Sequence, residues 1–155
     1  MEKPIIEIPN TFFYKTVKEE LVKGKSVKIL AKGHSMRLFL KSKRDSVIIT
    51  PINADDIQLY DVVLAEINPH FWVLHRIIRI DHNIITLMGD GNIKGTEQCT
   101  RQQIIGKATA FYRKGRNKPD FVDNPKWKIY SCIWLKLQPI RRYILALVRR
   151  LPWDI

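Results

Sequence analysis

Between residues 26 and 112 the apolar residues come in short runs separated by turn residues, and this pattern constrains the fold more than any other feature. Six such runs, rich in β-branched side chains, occupy 27–31, 46–50, 62–67, 71–80, 83–88 and 104–112. Short runs of this kind, bounded by Asn, Asp, Gly or Pro, are typical of strands joined by tight turns. We therefore predict an antiparallel, mainly β body.

The regions on either side of this body have helical patterns. Apolar residues fall near one face over about 11–23, and Gly24 is a plausible stop. Near the end, 140–151 combines an apolar stripe with arginines on the other side, and Pro139 separates it from an apolar piece at 129–137. The predicted organisation is a helical segment at 1–25, a β domain at 26–113, a linker at 114–126 and a basic amphipathic helical segment at 127–155.

The charge of the chain favours anionic partners. It holds 27 Lys and Arg against 15 Asp and Glu, a formal net charge of +12, and such an excess attracts anions over long distances. The last helix concentrates this charge, and we predict that it docks on anionic lipid. Packing of the same helix on the β body is the alternative. The residues predicted to contact the membrane are Arg141, Arg142, Arg149 and Arg150.

Several classes of protein are disfavoured. The first residues contain no apolar run of the length that a secretory signal or a membrane span needs, so we expect a cytoplasmic protein, peripheral on the inner face of the membrane. Tryptophans do not interleave with basic residues on the predicted strands, which makes nucleic acid the less favoured partner. Cys99 and Cys132 match no metal or redox spacing, and we interpret them as free thiols. No metal or cofactor is expected.

The residues that suggest chemistry are a serine and a histidine. Ser35 lies in a Gly-His-Ser-Met stretch, Gly33 to Met36, directly after a predicted strand. A serine hydroxyl is a poor nucleophile without a positioned base. His75 interrupts an otherwise apolar strand about forty residues later, and imidazole is suited to accept the serine proton. Taken alone, each residue has an ordinary structural interpretation, a loop serine and a strand histidine.

Asp90 is the candidate third member of this group. It lies in a turn after the next predicted strand, from which its carboxylate could reach back to a histidine in the adjacent antiparallel strand. In that position it would hold the imidazole tautomer, as the third member of a Ser-His-Asp triad does. The alternative is that Asp90 only shapes its turn.

The order of these pieces resembles the successive motifs of type I signal peptidases and their self-cleaving repressor relatives. The resemblance covers about residues 26–112. The matching stretches are Gly33-His34-Ser35-Met36, Leu59-Tyr60-Asp61-Val62-Val63, Leu74-His75-Arg76-Ile77-Ile78, Met88-Gly89-Asp90-Gly91-Asn92 and Ile104-Ile105-Gly106-Lys107. Five motifs in the right order are more specific than any one of them.

The resemblance implies a signal-peptidase-like, barrel-like β body and a serine endopeptidase that cleaves a peptide or protein precursor in trans. It implies Ser35 as nucleophile, His75 as base and Asp90 as orienting residue, with Gly33, His34 and Met36 forming the nucleophile loop. Bacterial members carry Lys at the base position, whereas archaeal and endoplasmic-reticulum signal peptidases carry His. Arg76 cannot replace the base, because a guanidinium stays protonated.

The chain departs from the family pattern at three positions. Leu38 replaces a common proline, Tyr60 stands where the family motif has Gly before Asp, and Gly33 stands where bacterial enzymes can offer a serine hydroxyl as oxyanion donor. The oxyanion hole would therefore depend mainly on the Ser35 backbone N–H.

Two other functions compete with cleavage in trans. A self-cleaving repressor is disfavoured, because the chain contains no Ala-Gly pair and only about 25 residues precede the first strand, too few for a DNA-reading module. The second is a catalytically inactive module of the same fold that binds an anionic membrane or peptide.

Overall fold

The structure, a computed structural model, describes residues 10–151. Within this range the chain forms one antiparallel β-sheet and three α-helices. The helices are α1 (Asn10–Val22), α2 (Pro125–Lys136) and α3 (Arg141–Arg150). The strands are β1 (Val27–Leu30), β2 (Ser46–Thr50), β3 (Val62–Asn68), β4 (Phe71–Asp81), β5 (Ile84–Met88), β6 (Glu97–Thr100), β7 (Ile104–Tyr112) and β8 (Asp120–Phe121). The predicted mainly β body is confirmed.

The sheet is open and not a closed barrel. Its strand order is β1-β2-β7-β3-β4-β5-β6, with β8 paired to β7, and every pairing is antiparallel. In the described part of the chain β1 and β6 are the two ends of this order and do not pair with each other. The barrel-like closure expected from the sequence is therefore not present.

All six predicted strands are present, and β6 and β8 are two that the sequence analysis missed. The sequence of β6 is Glu-Gln-Cys-Thr, which has no apolar run, and the strand forms by pairing with β5. Strand β8 lies inside the segment predicted to be a linker, where Phe121 pairs with Ala110 of β7. The polar stretch before α2 is thus attached to the sheet.

Both faces of the sheet are covered by apolar clusters. Alternate residues of a strand point to opposite faces, and β3 sends Val62 and Leu64 into one cluster and Val63 and Ala65 into the other. The first cluster also contains residues of α1, α2 and the loop after β1, namely Val17, Leu21, Met36, Phe39, Leu40 and Trp127. Helices α1 and α2 therefore complete the core on one face.

The C-terminal helices pack on the body with only one face each. Trp127, Ser131 and Trp134 of α2 are buried, as are Arg141 and Leu145 of α3. Among residues 10–151, no helix combines the length and apolar character that crossing a membrane requires.

Arg141 does not face outward as the sequence analysis predicted. One helical turn separates it from the buried Leu145, so it lies on the inner face of α3, and only 1% of it is exposed. Its Nη2 donates to the Trp134 carbonyl at 3.2 Å, and Nη1 donates to the Asn92 carbonyl at 3.5 Å. Burial lowers the pKa of this guanidinium. Arg142, Arg149 and Arg150 are exposed.

Candidate active site

Ser35 and His75 line the same cleft. The cleft has a volume of about 340 Å³ and lies between the loop after β1 and the first half of β4. Glu97 at the start of β6 and Asn92 also line it. The structure thus brings together two residues that are forty positions apart in the chain, and it places a carboxylate beside them.

The loop after β1 presents Ser35 at the wall of this cleft. Gly33 has a φ of +83°, a conformation that glycine adopts without a steric penalty, and its N–H donates to the Ser42 hydroxyl at 3.0 Å. Ser35 is half-buried, and the next residue, Met36, is buried in the first core cluster. Gly33, Ser35 and Met36 line the cleft, whereas the side chain of His34 is exposed. Met36 therefore anchors the loop, and Ser35 remains accessible.

His75 has a carboxylate partner, which is Glu97 and not Asp90. His75 Nδ1 lies 2.8 Å from Glu97 Oε2, and the imidazole is 4% exposed. A carboxylate accepts, so this contact assigns the proton of the neutral ring to Nδ1 and leaves the Nε2 lone pair free to accept a proton. Glu97 is 23% exposed, so it can carry its charge at low desolvation cost.

The sheet register explains why Glu97 reaches His75. Residues that lie directly opposite one another in an antiparallel pair share a face. Ile77 of β4 lies opposite Leu87 of β5, and Leu87 lies opposite Glu97 of β6. His75 is two residues before Ile77 on the same strand, so it points to the face on which Glu97 stands.

Asp90 pairs with Arg76, which corrects the orienting role expected for it. Arg76 Nε donates to Asp90 Oδ1 at 2.8 Å, and Nη2 donates to Oδ2 at 2.6 Å. Arg76 and His75 are neighbours on β4 and point to opposite faces. Arg76 lies opposite Met88, the last residue of β5, and the turn after Met88 brings the Asp90 carboxylate to Arg76. Burial opposes the guanidinium charge, but the Asp90 charge and hydrogen bonds outweigh it and raise the Arg76 pKa.

The turn that contains Asp90 also contacts the backbone of the nucleophile loop at His34 and Ser35. The Gly91 N–H donates to the Ser35 carbonyl at 2.7 Å. A Cβ on Gly89 would lie 2.3 Å from the Ser35 carbonyl oxygen, and one on Gly91 would lie 2.4 Å from that of His34. Both glycines are therefore needed because the two loops approach backbone to backbone, with no room for a side chain between them.

Helix α2 braces this turn and the buried ion pair. Arg76 Nη1 donates to the Ser131 hydroxyl at 2.6 Å, and the guanidinium lies 4.8 Å from the ring centroid of Trp127. Trp134 Nε1 donates to the Asp90 carbonyl at 3.0 Å. The sequence analysis placed the site within residues 26–112 and did not anticipate these contacts from α2.

Two departures from the family pattern lie at unusual backbone positions. Tyr60 has a φ of +76°, the left-handed region that favours glycine, and glycine is the residue that the family pattern has there. Leu38 has a φ of +77°, which a proline ring cannot adopt. The nucleophile loop therefore follows a path that a proline at 38 would not allow.

A second groove, larger than the cleft at about 610 Å³, lies between α1 and the β3–β4 hairpin. Lys15, Lys18, Val22 and Lys23 line it on one side, and His70 and Trp72 line it on the other. It holds neither Ser35 nor His75 and meets their cleft only at Trp72. The two candidate reactive residues, Ser35 and His75, thus line the smaller of the two cavities.

Comparison with known proteins adds no assignment. No protein-family model matches this chain, and no curated protein matches it either. Within residues 10–151, no three His, Cys, Asp or Glu side chains are grouped as a metal site would require.

Proposed function

We propose that this chain is a serine endopeptidase of the signal-peptidase-like kind, which cleaves a peptide or protein precursor in trans. The observation that carries the proposal is that Ser35 and His75 line one cleft while His75 Nδ1 is held by Glu97. A nucleophile, a base and a group that orients the base are the three parts that such catalysis requires.

In the proposed reaction, Ser35 Oγ attacks the scissile carbonyl carbon while His75 Nε2 takes the hydroxyl proton. The carbonyl π bond breaks, and its electron pair forms an oxyanion that the Ser35 backbone N–H would stabilise. When the C–N bond breaks, the imidazolium returns the proton to the leaving amine. Water, activated by the same imidazole, then releases the acyl group from Ser35.

Glu97 takes the orienting role that the sequence analysis gave to Asp90. Its carboxylate would keep the Nδ1 proton in place and stabilise the imidazolium that forms at each transfer. Asp90 supports the site indirectly, because it neutralises Arg76 and lies in the turn whose Gly91 N–H holds the Ser35 carbonyl.

The cleft walls favour a peptide with small or apolar side chains next to the cleaved bond. Apolar residues from the end of β1, the nucleophile loop and β4 surround Ser35 there, and they include Ile29, Leu30, Ala31, Met36, Leu40, Val73 and Leu74. Lys32, Asn92 and Glu97 add polar groups to the same cleft, and apolar walls with a small number of placed polar groups are common in ligand sites.

The test is covalent labelling by a fluorophosphonate probe, together with cleavage of a synthetic peptide library read by mass spectrometry. We expect Ser35→Ala to abolish labelling, and His75→Ala to lower labelling and cleavage by a factor on the order of 10² to 10⁴. The double variant should be no worse than Ser35→Ala, because both residues act in one step.

Matched controls lie close to both residues. Ser42→Ala removes a hydroxyl that contacts the same loop, and His70→Ala removes an imidazole from the neighbouring groove; both should keep most of the activity. Absence of labelling in the folded wild-type protein would reject the peptidase and support an inactive binding module. Equal labelling of the wild type and Ser35→Ala would reject Ser35 as the nucleophile.

A further inference from the structure

The outer faces of α2 and α3 expose apolar side chains that the body does not cover. On α2, Ile129 and Ile133 are one helical turn apart, and on α3 Tyr143 and Leu147 have the same spacing. Between 53% and 61% of each of these side chains is exposed. The buried tryptophans and Arg141 occupy the opposite faces. The apolar stripe noticed in the sequence is therefore mostly left outside the core.

The charges around this outer face have one sign. The stretch 125–151 contains no acidic residue. Its exposed basic residues are Lys126, Lys128, Lys136, Arg142, Arg149 and Arg150. The Arg142 guanidinium lies 4.5 Å from the Tyr143 ring centroid, and an amphipathic aromatic ring of this kind is suited to the boundary between lipid headgroups and acyl chains.

We infer that α2 and α3 together form a docking surface for an anionic lipid bilayer. Apolar side chains surrounded by basic ones suit the headgroup boundary of such a membrane, where each basic residue adds roughly fivefold to the binding constant. A protein partner is the less favoured occupant, because lysine is depleted at protein interfaces and this surface exposes Lys126, Lys128 and Lys136. This inference does not depend on the proposed catalysis.

The surface differs from the one predicted from the sequence. Arg141 is removed from it, since its Nη1 and Nη2 donate to carbonyls inside the protein, and α2 contributes Ile129, Ile133 and Lys136. One helix of ten residues offers little apolar area, whereas the two helices, each packed on the body through its buried face, present four apolar side chains.

Cys132 supplies a reporter on this surface. It is exposed on α2 beside Ile133, whereas the other cysteine, Cys99, is buried. An environment-sensitive fluorophore on Cys132 should shift to the blue when full-length protein meets vesicles of phosphatidylcholine with about one third phosphatidylglycerol. Pure phosphatidylcholine should give little shift, and added salt should reduce the binding to anionic vesicles.

Two variants test the charged and the apolar parts separately by co-sedimentation. Arg149→Gln with Arg150→Gln should weaken binding about 25-fold, from roughly fivefold for each charge, and Leu147→Gln should weaken it at least about tenfold. The matched control removes two lysines of α1, Lys15→Gln with Lys23→Gln, and should change binding less than about threefold. Circular dichroism and thermal unfolding should be the same for all three variants.

Three results would overturn the inference. The first is failure of the full-length protein to bind anionic vesicles at low salt. The second is equal loss of binding in the α1 control and in the α3 charge variant, which would indicate attraction by net charge alone. The third is a dimer of the free protein that Leu147→Gln dissociates without changing vesicle binding, since a second copy would then cover this face.

Discussion

The variant Asp90→Asn, compared with Glu97→Gln, tests whether Asp90 has a structural role while Glu97 orients His75. Asp90 and its partner Arg76 are 1% and 0% exposed at their side chains. The substitution removes the charge that compensates the guanidinium and turns one accepting oxygen into an NH₂ group that faces an arginine donor. The Ser131 hydroxyl and the Tyr60 carbonyl still accept from Arg76 Nη1, but neither carries a charge.

The expected cost is large. Breaking a buried ion pair by removing one partner typically costs about 3–5 kcal/mol, because the remaining charge stays buried without compensation. For a chain of this size each kcal/mol lowers Tm by about 2–4 °C, so Asp90→Asn should lower Tm by roughly 6–20 °C. Replacing both partners by apolar residues, Arg76→Met with Asp90→Leu, should recover much of this loss, since no uncompensated charge remains.

Thermal unfolding by circular dichroism and fluorophosphonate labelling give the two readouts. Glu97→Gln is the matched carboxylate-to-amide control at a partly exposed position, and we expect its Tm to stay within about 2 °C. Its labelling rate should fall at least about tenfold, because the amide no longer favours the Nδ1-protonated tautomer or stabilises the imidazolium. If Asp90→Asn leaves Tm unchanged, or Glu97→Gln destabilises as much as Asp90→Asn, this division of roles is wrong.

Three further changes test other parts of the site. Gly89→Ala should abolish labelling, because its Cβ would lie 2.3 Å from the Ser35 carbonyl oxygen and displace the loop. The control is Gly95→Ala, which is strained by its φ of +94° but meets no neighbouring atom, so it should lower stability and keep labelling. Leu38→Pro should lower stability by about 3 kcal/mol or more, measured by urea unfolding, since proline cannot adopt a φ of +77°; Leu38→Gly should fold. Burial raises the pKa of the Cys99 thiol to about 11, so a thiol reagent near pH 8 should modify the native protein once, at Cys132, and the denatured protein twice. Two rapid equivalents in the native state would contradict that burial.

Six of the strands could be predicted because each has a local sequence pattern that is typical of a strand. Runs such as Ser46–Thr50 and Ile84–Met88 are rich in β-branched residues and bounded by turn residues, and the structure confirms them as strands. Strand β6 could not be found in this way, since Glu97–Thr100 has no apolar run and exists only because β5 offers it a free edge. Sequence periodicity indicates the local preference of a segment and does not indicate whether a distant strand, such as β5, will pair with it.

The contacts of the site residues were predicted only in part, because they depend on how distant strands pair. Asp90 and Glu97 both follow His75 in the sequence, and the Gly89-Asp90 motif favoured Asp90, which is the nearer of the two. The structure distinguishes them, because the strand register places Glu97 on the face of His75, and the turn after β5 places Asp90 against Arg76. Had β6 been recognised as a strand, assigning the side chains of β4, β5 and β6 to the two faces of the sheet would have identified Glu97 as a candidate partner of His75.

Arg141 was misplaced because an arginine was taken to face solvent, although it lies one helical turn before Leu145 and therefore on the inner face of α3.

The contacts of α2 with the turn at Asp90 have a consequence for the order in which the protein becomes complete. Synthesis runs from the N-terminus, so the nascent chain contains Ser35, His75 and Arg76 well before Ser131 and Trp134. Until those two residues arrive, one donor of the buried guanidinium and the Asp90 carbonyl lack their partners. A chain still in synthesis therefore holds Ser35 and His75 before the two α2 residues that brace the turn at Asp90.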